Sequence, residues 1–230
     1  MESMGLFRPF KWYRYFKRKS LLRKFKSIGR SFQFDPLSDI LSPEYMEIGD
    51  NVFIGDSAYI SAEIKIGNNV MFGPRAVILG GDHYFGVKGK SVRFLHPQRR
   101  ENSYPIHVED EVWFGANVVI LKGVTVGMGA VIGAGSIITK SIPPYTIAVG
   151  NPCDPKKTIF DDEILLSHLM LLNYSKEFSQ KIVARRRVEL NQLGIKKLPT
   201  VDKSDRYWER CCEQEFTSEA STTDERDYPP

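Results

Sequence analysis

Apolar residues recur every six positions in this chain, and that period excludes most ways of folding it. The first run is Ile48, Ile54, Ile60, Ile66, Phe72 and Ile78; the second is Val108, Phe114, Ile120, Val126, Ile132 and Ile138. Thirty residues separate the runs, itself a multiple of six. All twelve positions are apolar, and at 42% apolar composition chance would achieve that in roughly 3 of 100,000 trials per register. A helix of 3.6 residues per turn would rotate such markers off one face. Four residues after the markers stand small or β-branched residues: Val52, Ala58, Ile64, Val70 and Ala76, then Val112, Val118, Val124, Ala130, Ser136 and Ile142, with only Asp82 breaking the series. Glycine follows many markers directly (Gly49, Gly55, Gly67, Gly73, Gly115, Gly127, Gly133), where it is expected to supply the unusual torsions of a tight corner.

Three hexads make a triangular coil of eighteen residues, so Ile48 and Ile66 stack in adjacent coils. Coils pile up at the ~4.8 Å strand spacing, with hydrogen bonds running from coil to coil. The expected class is all-β, a parallel β-helix whose open ends need caps. Flanking helices are expected at the N-terminus and over Asp161–Phe178 and Lys181–Leu193.

The repeat breaks between residues 79 and 105. An excursion longer than ~12–15 residues inside a compact repeat is generally functional or disordered. It opens on Gly80-Gly81 and carries Lys88, Lys90, Arg93, Arg99 and Arg100. These cations suit an anionic ligand or simply solvate the loop. His83 stands at the root of the excursion, where the rigid coil can fix it. A loop histidine taken alone is more often a surface residue. Asp82 either orients His83 or is a turn residue. His96 is placed to meet substrate, His107 to project outward, and His168 falls in an expected helix.

The net charge of +4 hides an asymmetry. Residues 1–30 hold ten Lys or Arg against Glu2 alone, a net +9, so the remainder carries −5. Phe7, Phe10, Trp12, Tyr13, Tyr15, Phe16 and Phe25 interleave with these cations, and a helix here would align Leu21, Phe25 and Ile28. Three readings remain open: a cap over the coil end, peripheral contact with an anionic membrane, or, least favoured, nucleic acid. The three cysteines, with Cys211 and Cys212 adjacent, make no disulfide framework, which points to a reducing cytoplasmic compartment. No apolar run approaches the ~20 residues of a membrane span, and no secretory signal is evident. The last thirty residues are acidic and expected to be disordered.

Beyond the period, ordered motifs carry a resemblance. Val112-Trp113-Phe114-Gly115-Ala116 precedes Gly123-Val124-Thr125-Val126-Gly127. Ile132-Gly133-Ala134-Gly135-Ser136 then leads through Thr139-Lys140 and Ile142-Pro143-Pro144 to Gly150-Asn151-Pro152. With Gly80-Gly81-Asp82-His83-Tyr84-Phe85 before it, this set resembles the hexapeptide-repeat acyltransferases over about residues 34–175, and in particular the sugar and antibiotic O-acetyltransferases among them. The resemblance implies a left-handed coil, an exception to the usual right-handed crossovers. It also implies His83 as catalytic base and acetyl-CoA as cosubstrate. The backbones of Ala116 and Ala134 would line the pantetheine arm, Thr139 and Lys140 would meet the nucleotide end, and Lys157, beside Lys156, would meet the same phosphate. Trp113 lies along the ligand path or acts as a wedge between coils or subunits. Asp154 departs from the family pattern, which prefers a basic or apolar residue there, and Cys153 reads as structural. The histidine spacing does not resemble the three-ligand zinc site of the related γ-class carbonic anhydrases, so no metal is expected.

The implied assembly is a homotrimer with sites between subunits. The implied activity is acetyl transfer to a hydroxyl of a sugar, a surface-polysaccharide unit or its precursor. The alternatives are an antibiotic acceptor and, from another class, a non-catalytic β-helix scaffold. The expected organisation is a basic segment over 1–33, the β-helix over 34–152, a helical extension over 153–198 and the acidic tail over 199–230.

Overall fold

A computed structural model describes residues 9–81, 83, 85–95 and 104–201. Seventeen short strands in that part of the chain stack into a three-sided parallel β-helix. One face, polar outside, joins β1 (Ser27–Ile28), β4 (Met46–Ile48), β7 (Ile64–Ile66), β10 (Ile106–Val108) and β13 (Thr125–Val126). A second, aromatic face runs from β2 (Gln33–Phe34) through β5 (Phe53–Ile54), β8 (Met71–Phe72), β11 (Trp113–Phe114) and β14 (Val131–Ile132). It ends on β16 (Thr146–Val149) and the antiparallel β17 (Asp154–Thr158). The third, aliphatic face holds β3 (Asp39–Leu41), β6 (Tyr59–Ser61), β9 (Val77–Leu79), β12 (Val119–Leu121) and β15 (Ile137–Ile138).

All twelve hexad markers are buried in one core, and the small or β-branched residues four positions after eleven of them are buried as well. Ile48 pairs with Ile66, as the eighteen-residue coil requires. Ile66 pairs with Val108 across the excursion, so the coil closes as if the inserted residues were absent. The rings of Phe72 and Phe114 stack in that seam with centroids 4.4 Å apart.

The corner glycines serve a purpose other than the expected one. Positive φ falls two residues later, at Asn51, Ser57, Asn69, Arg75 and Asn117. The glycine itself permits close approach: a Cβ on Gly115 would lie 2.6 Å from the Ala134 nitrogen, and one on Gly67 2.2 Å from an Asp110 carboxylate oxygen. That carboxylate accepts the Asn68 N–H, so removing the side chain at Gly67 lets one corner bond to the next.

The coil starts before the expected boundary at residue 34. Ile28, Phe34 and Ile40 continue the marker series beneath Ile48, Ile54 and Ile60. Two extra residues in a 3₁₀ turn at Pro43–Tyr45 lengthen this first coil and hide it from a strict period of six. The N-terminal helix α1 (Pro9–Leu22) is correspondingly shorter than the expected face required. Leu21 packs from it onto the core, while Phe25 and Ile28 lie beyond its end. Phe25 closes the bottom of the coil against Phe32 and Phe34, with centroids 5.5 and 6.2 Å away.

At the other end, α2 (Asp162–Leu171) and α3 (Lys176–Gln192) form a hairpin. The expected first helix ran on to Phe178, but Asn173 at φ 65° ends it, and Ser175 caps α3 through the Phe178 N–H. Leu165, Leu169 and Ile182 make a small second core with Met128 and Tyr145. Arg185 bridges to Glu109 of the coil at 2.7 Å. The buried Arg186 donates to the Phe160 carbonyl and to Asp162, which also takes Arg187. The tail expected from residue 199 begins later, because the Thr158 N–H donates to the Pro199 carbonyl and the Val201 N–H to the Thr158 carbonyl, both at 3.0 Å. Residues 202–230 lie outside the described residues, as do Asp82, His96, Arg99 and Arg100.

Candidate active site

The excursion leaves and rejoins the coil at the corner between the aliphatic and polar faces, and both of its roots are pinned. At the exit, the Gly80 N–H donates to the Ser61 carbonyl at 2.8 Å. A Cβ on Gly80 would lie 2.6 Å from the Ala62 Cα, so only glycine lets the chain pass this close. At the return, the Tyr104 carbonyl accepts the Gly123 N–H at 3.0 Å, and the Ile106 N–H donates to Glu63 at 3.0 Å.

His83 follows three residues after the pinned Gly80, and its ring is exposed. Its Nδ1 lies 3.4 Å from the Leu95 carbonyl oxygen, across the excursion. A carbonyl can only accept, so in a neutral ring this contact favours the tautomer with the proton on Nδ1. Nε2 is then left with its lone pair directed away from the contact, the form a general base needs. Lys122 stands at the same corner, its ammonium 5.3 Å from the centre of the half-exposed Tyr104 ring.

One coil above Lys122, Thr139 and Lys140 occupy the equivalent corner, both exposed. The Lys140 ammonium is held by Asp154 at 2.7 Å. A hydrogen bond from Lys140 keeps the Asp154 carboxyl below the usual carboxylate range despite partial burial. Lys156 and Lys157 lie exposed on β17.

Ala116 and Ala134 sit one above the other at the opposite edge of the aliphatic face, where the Ala116 carbonyl accepts the Gly135 N–H at 2.9 Å. Proline fills the equivalent corner position below, at Pro74, so the coil does not need the N–H of this position. Between the two edges the outward residues Val119, Leu121 and Ile137 form a half-buried apolar floor. The fold thus places His83, Thr139 and Lys140 along one edge of a single face and Ala116 and Ala134 along the other. Trp113 is not on that face. It stands half exposed on the aromatic face, in register between Met71 and Val131. Lys157 lies on the same sheet as Trp113, paired with Ile147. Cys153 is buried, and burial pushes its thiol above its ordinary value, as suits a structural residue. Among the described residues, no group of three or more His, Cys, Asp or Glu could hold a metal ion.

Residues 45–80 match the family model of the bacterial transferase hexapeptide (six repeats), and residues 105–140 match that of the hexapeptide repeat of succinyl-transferase. The two segments stop at the edges of the excursion. The galactoside O-acetyltransferase of Escherichia coli (strain K12) is 34% identical over 176 residues, covering 71% of this chain and 77% of the relative. The chain belongs to the hexapeptide-repeat acetyltransferases. A maltose O-acetyltransferase from Clostridium difficile 630 shares the left-handed β-helix at a TM-score of 0.57 and 33% identity, over 64% of this chain and 77% of that one. A hexapeptide-repeat acetyltransferase from Vibrio cholerae O1 biovar eltor, solved with acetyl coenzyme A, matches at a TM-score of 0.52 and 25% identity, over 68% and 81%. Within this acetyltransferase fold, sequence reasoning missed Leu95 as the partner of His83. The two are twelve residues apart inside the excursion, and no periodicity relates them. Gly80 as the anchor of the root was visible only as half of a flexible pair.

Proposed function

We propose that the protein transfers the acetyl group of acetyl-CoA to a hydroxyl of a sugar, a surface-polysaccharide unit or its precursor, with His83 as general base. The observation that carries this reading is the His83–Leu95 contact, which leaves Nε2 as an acceptor at a root pinned to the coil. In the reaction, Nε2 takes the proton of the acceptor hydroxyl as its oxygen attacks the thioester carbonyl carbon. The tetrahedral intermediate collapses with cleavage of the C–S bond, and the same proton passes from Nε2 to the departing CoA sulfur. The apolar floor of Val119, Leu121 and Ile137 suits the pantetheine arm, and the N–H groups of Ala116 and Ala134 suit its amides. Thr139, Lys140 and Lys156, whose charge together with that of Lys140 acts on Asp154, suit the nucleotide phosphates, where a lysine acts as a mobile point charge. Lys157, on the Trp113 sheet, stands apart from them.

Two of the three outer faces expose apolar ladders, with Phe53, Met71 and Trp113 on one and Tyr59 beside Val77 and Val119 on the other. Apolar cover on two faces of a prism supports a homotrimer in which Trp113 of one subunit approaches the site of another. Release of free CoA thiol from acetyl-CoA on addition of individual sugars tests the reading. Thiol release that rises with acceptor concentration supports it, and release unaffected by any sugar or polysaccharide precursor contradicts it.

A further inference from the structure

The two sides of α1 have different chemistry. The inner side is tied to the open end of the coil. Arg14 bridges to Asp35 at 3.1 Å, Arg18 donates to the Phe32 carbonyl at 3.2 Å and covers the Phe34 ring, and Leu21 and Leu22 pack on the core. These contacts meet the need for a cap, yet the outer side carries a second apolar group that closing the coil does not require. Trp12 stacks on Phe16 with centroids 5.9 Å apart, and Tyr15 meets both rings edge-on. Trp12, Tyr13 and Phe16 are 53%, 57% and 59% exposed. At 100° per residue, Trp12, Phe16 and Tyr13 fall opposite Arg14, Arg18 and Leu21. Lys17 and Lys19 flank them on either side, and Arg23 and Lys24 follow at the helix end.

An aromatic patch bordered by cations, on a helix lying across the end of a coil, matches an anionic lipid surface. The rings enter the headgroup boundary while the ammonium groups meet the lipid charges. Nucleic acid would also satisfy the cations, but a patch in which the aromatic rings stack on one another leaves them less free to take bases. We infer that α1 docks the protein end-on to an anionic membrane through Trp12, Tyr13 and Phe16. The coil axis then stands along the membrane normal. The excursion bearing His83 leaves the third coil, roughly 10 Å above the first at the ~4.8 Å coil spacing, so an acceptor held at the lipid surface lies within reach. In a trimer with parallel axes, three copies of α1 face the same membrane and reinforce one another. The docking inference stands independently of the catalytic reading.

Co-sedimentation of the full chain tests it, with vesicles of phosphatidylcholine alone and with about one third phosphatidylglycerol. Binding is expected only to the anionic vesicles and is expected to weaken with salt. Lys17→Gln with Lys19→Gln should lower partitioning at least about 25-fold, at about fivefold per charge in each copy. Trp12→Ser with Phe16→Ser should lower it at least about tenfold. Both variants should keep the oligomer size of the parent and its thiol release with a soluble acceptor. The inference is overturned if the parent ignores anionic vesicles. It is equally overturned if Trp12→Ser with Phe16→Ser breaks the oligomer, which would make the patch a subunit contact. Vesicle binding without any thiol release would leave the docking intact and remove the catalytic reading instead.

Discussion

If Lys140 meets the acetyl-CoA phosphates as proposed, Asp154 competes with them for it, and the strength of that competition follows from the geometry. The ion pair is short, at 2.7 Å, but its side chains are 46% and 37% exposed. Exposed pairs contribute about 0.2–1 kcal/mol, so the carboxylate can withhold at most about that much from a bound phosphate. Asp154→Asn should therefore lower the KM for acetyl-CoA by up to about fivefold. Lys140→Ala removes the charged contact itself. At the lower end of charged hydrogen bonds, about 1.5 kcal/mol, the KM for acetyl-CoA should rise about tenfold. Neither substitution should change kcat or the KM for the acceptor, because the lysine contributes equally to ground and transition states. The assay is steady-state thiol release with each substrate varied in turn, at low salt and at about 0.3 M, where screening should shrink both effects. If Asp154→Asn raised the KM as Lys140→Ala does, the carboxylate would be holding the lysine in place for the phosphate and the competition argument would fail. Unchanged KM values for both would place the nucleotide elsewhere.

Gly115→Ala should cost about 2–3 kcal/mol, because its Cβ would sit 2.6 Å from backbone of the next coil and overpacking there can be relieved only by moving the corner. In thermal unfolding, Gly81→Ala is the control: its Cβ meets nothing within 4 Å, and the melting temperature should not fall. Asp162→Ala should cost about 3 kcal/mol by stranding the buried Arg186. Burial alone would raise the Asp162 carboxyl, but its bonds to Arg186 and Arg187 outweigh this and lower it. Its contribution is then full above about pH 4 and lost as pH falls through the depressed value, so denaturant titration should show a shallower acid limb in Asp162→Ala.

The coil was legible because one physical requirement, an inward side chain at each strand, repeats without exception from Ile48 to Ile138. The same strictness hid the first coil, where Ile28, Phe34 and Ile40 sit two residues out of phase behind the turn at Pro43–Tyr45. Corner glycines were visible, but their reason was not. Torsion and close approach both favour glycine, and only the positions of Asn51, Ser57 and Asn117 at positive φ separate the two. Among site residues, Thr139 and Lys140 fell on one edge of the aliphatic face because the hexad fixes which corner each position occupies. By the same rule Trp113, one residue before a marker, projects outward from the aromatic face, away from the His83 edge of its own chain. The Lys140–Asp154 pair joins a coil corner to a strand beyond the repeat, where the period no longer predicts neighbours.

The central claim is that His83 moves the proton during acetyl transfer, and single-turnover thiol release by His83→Ala tests it most directly. With acetyl-CoA and acceptor both saturating, and an unchanged melting temperature showing the coil intact, the rate constant should fall by at least ~10². The KM for acetyl-CoA should stay near that of the parent. Turnover within a few-fold of the parent would show that another group takes the proton and would contradict the account.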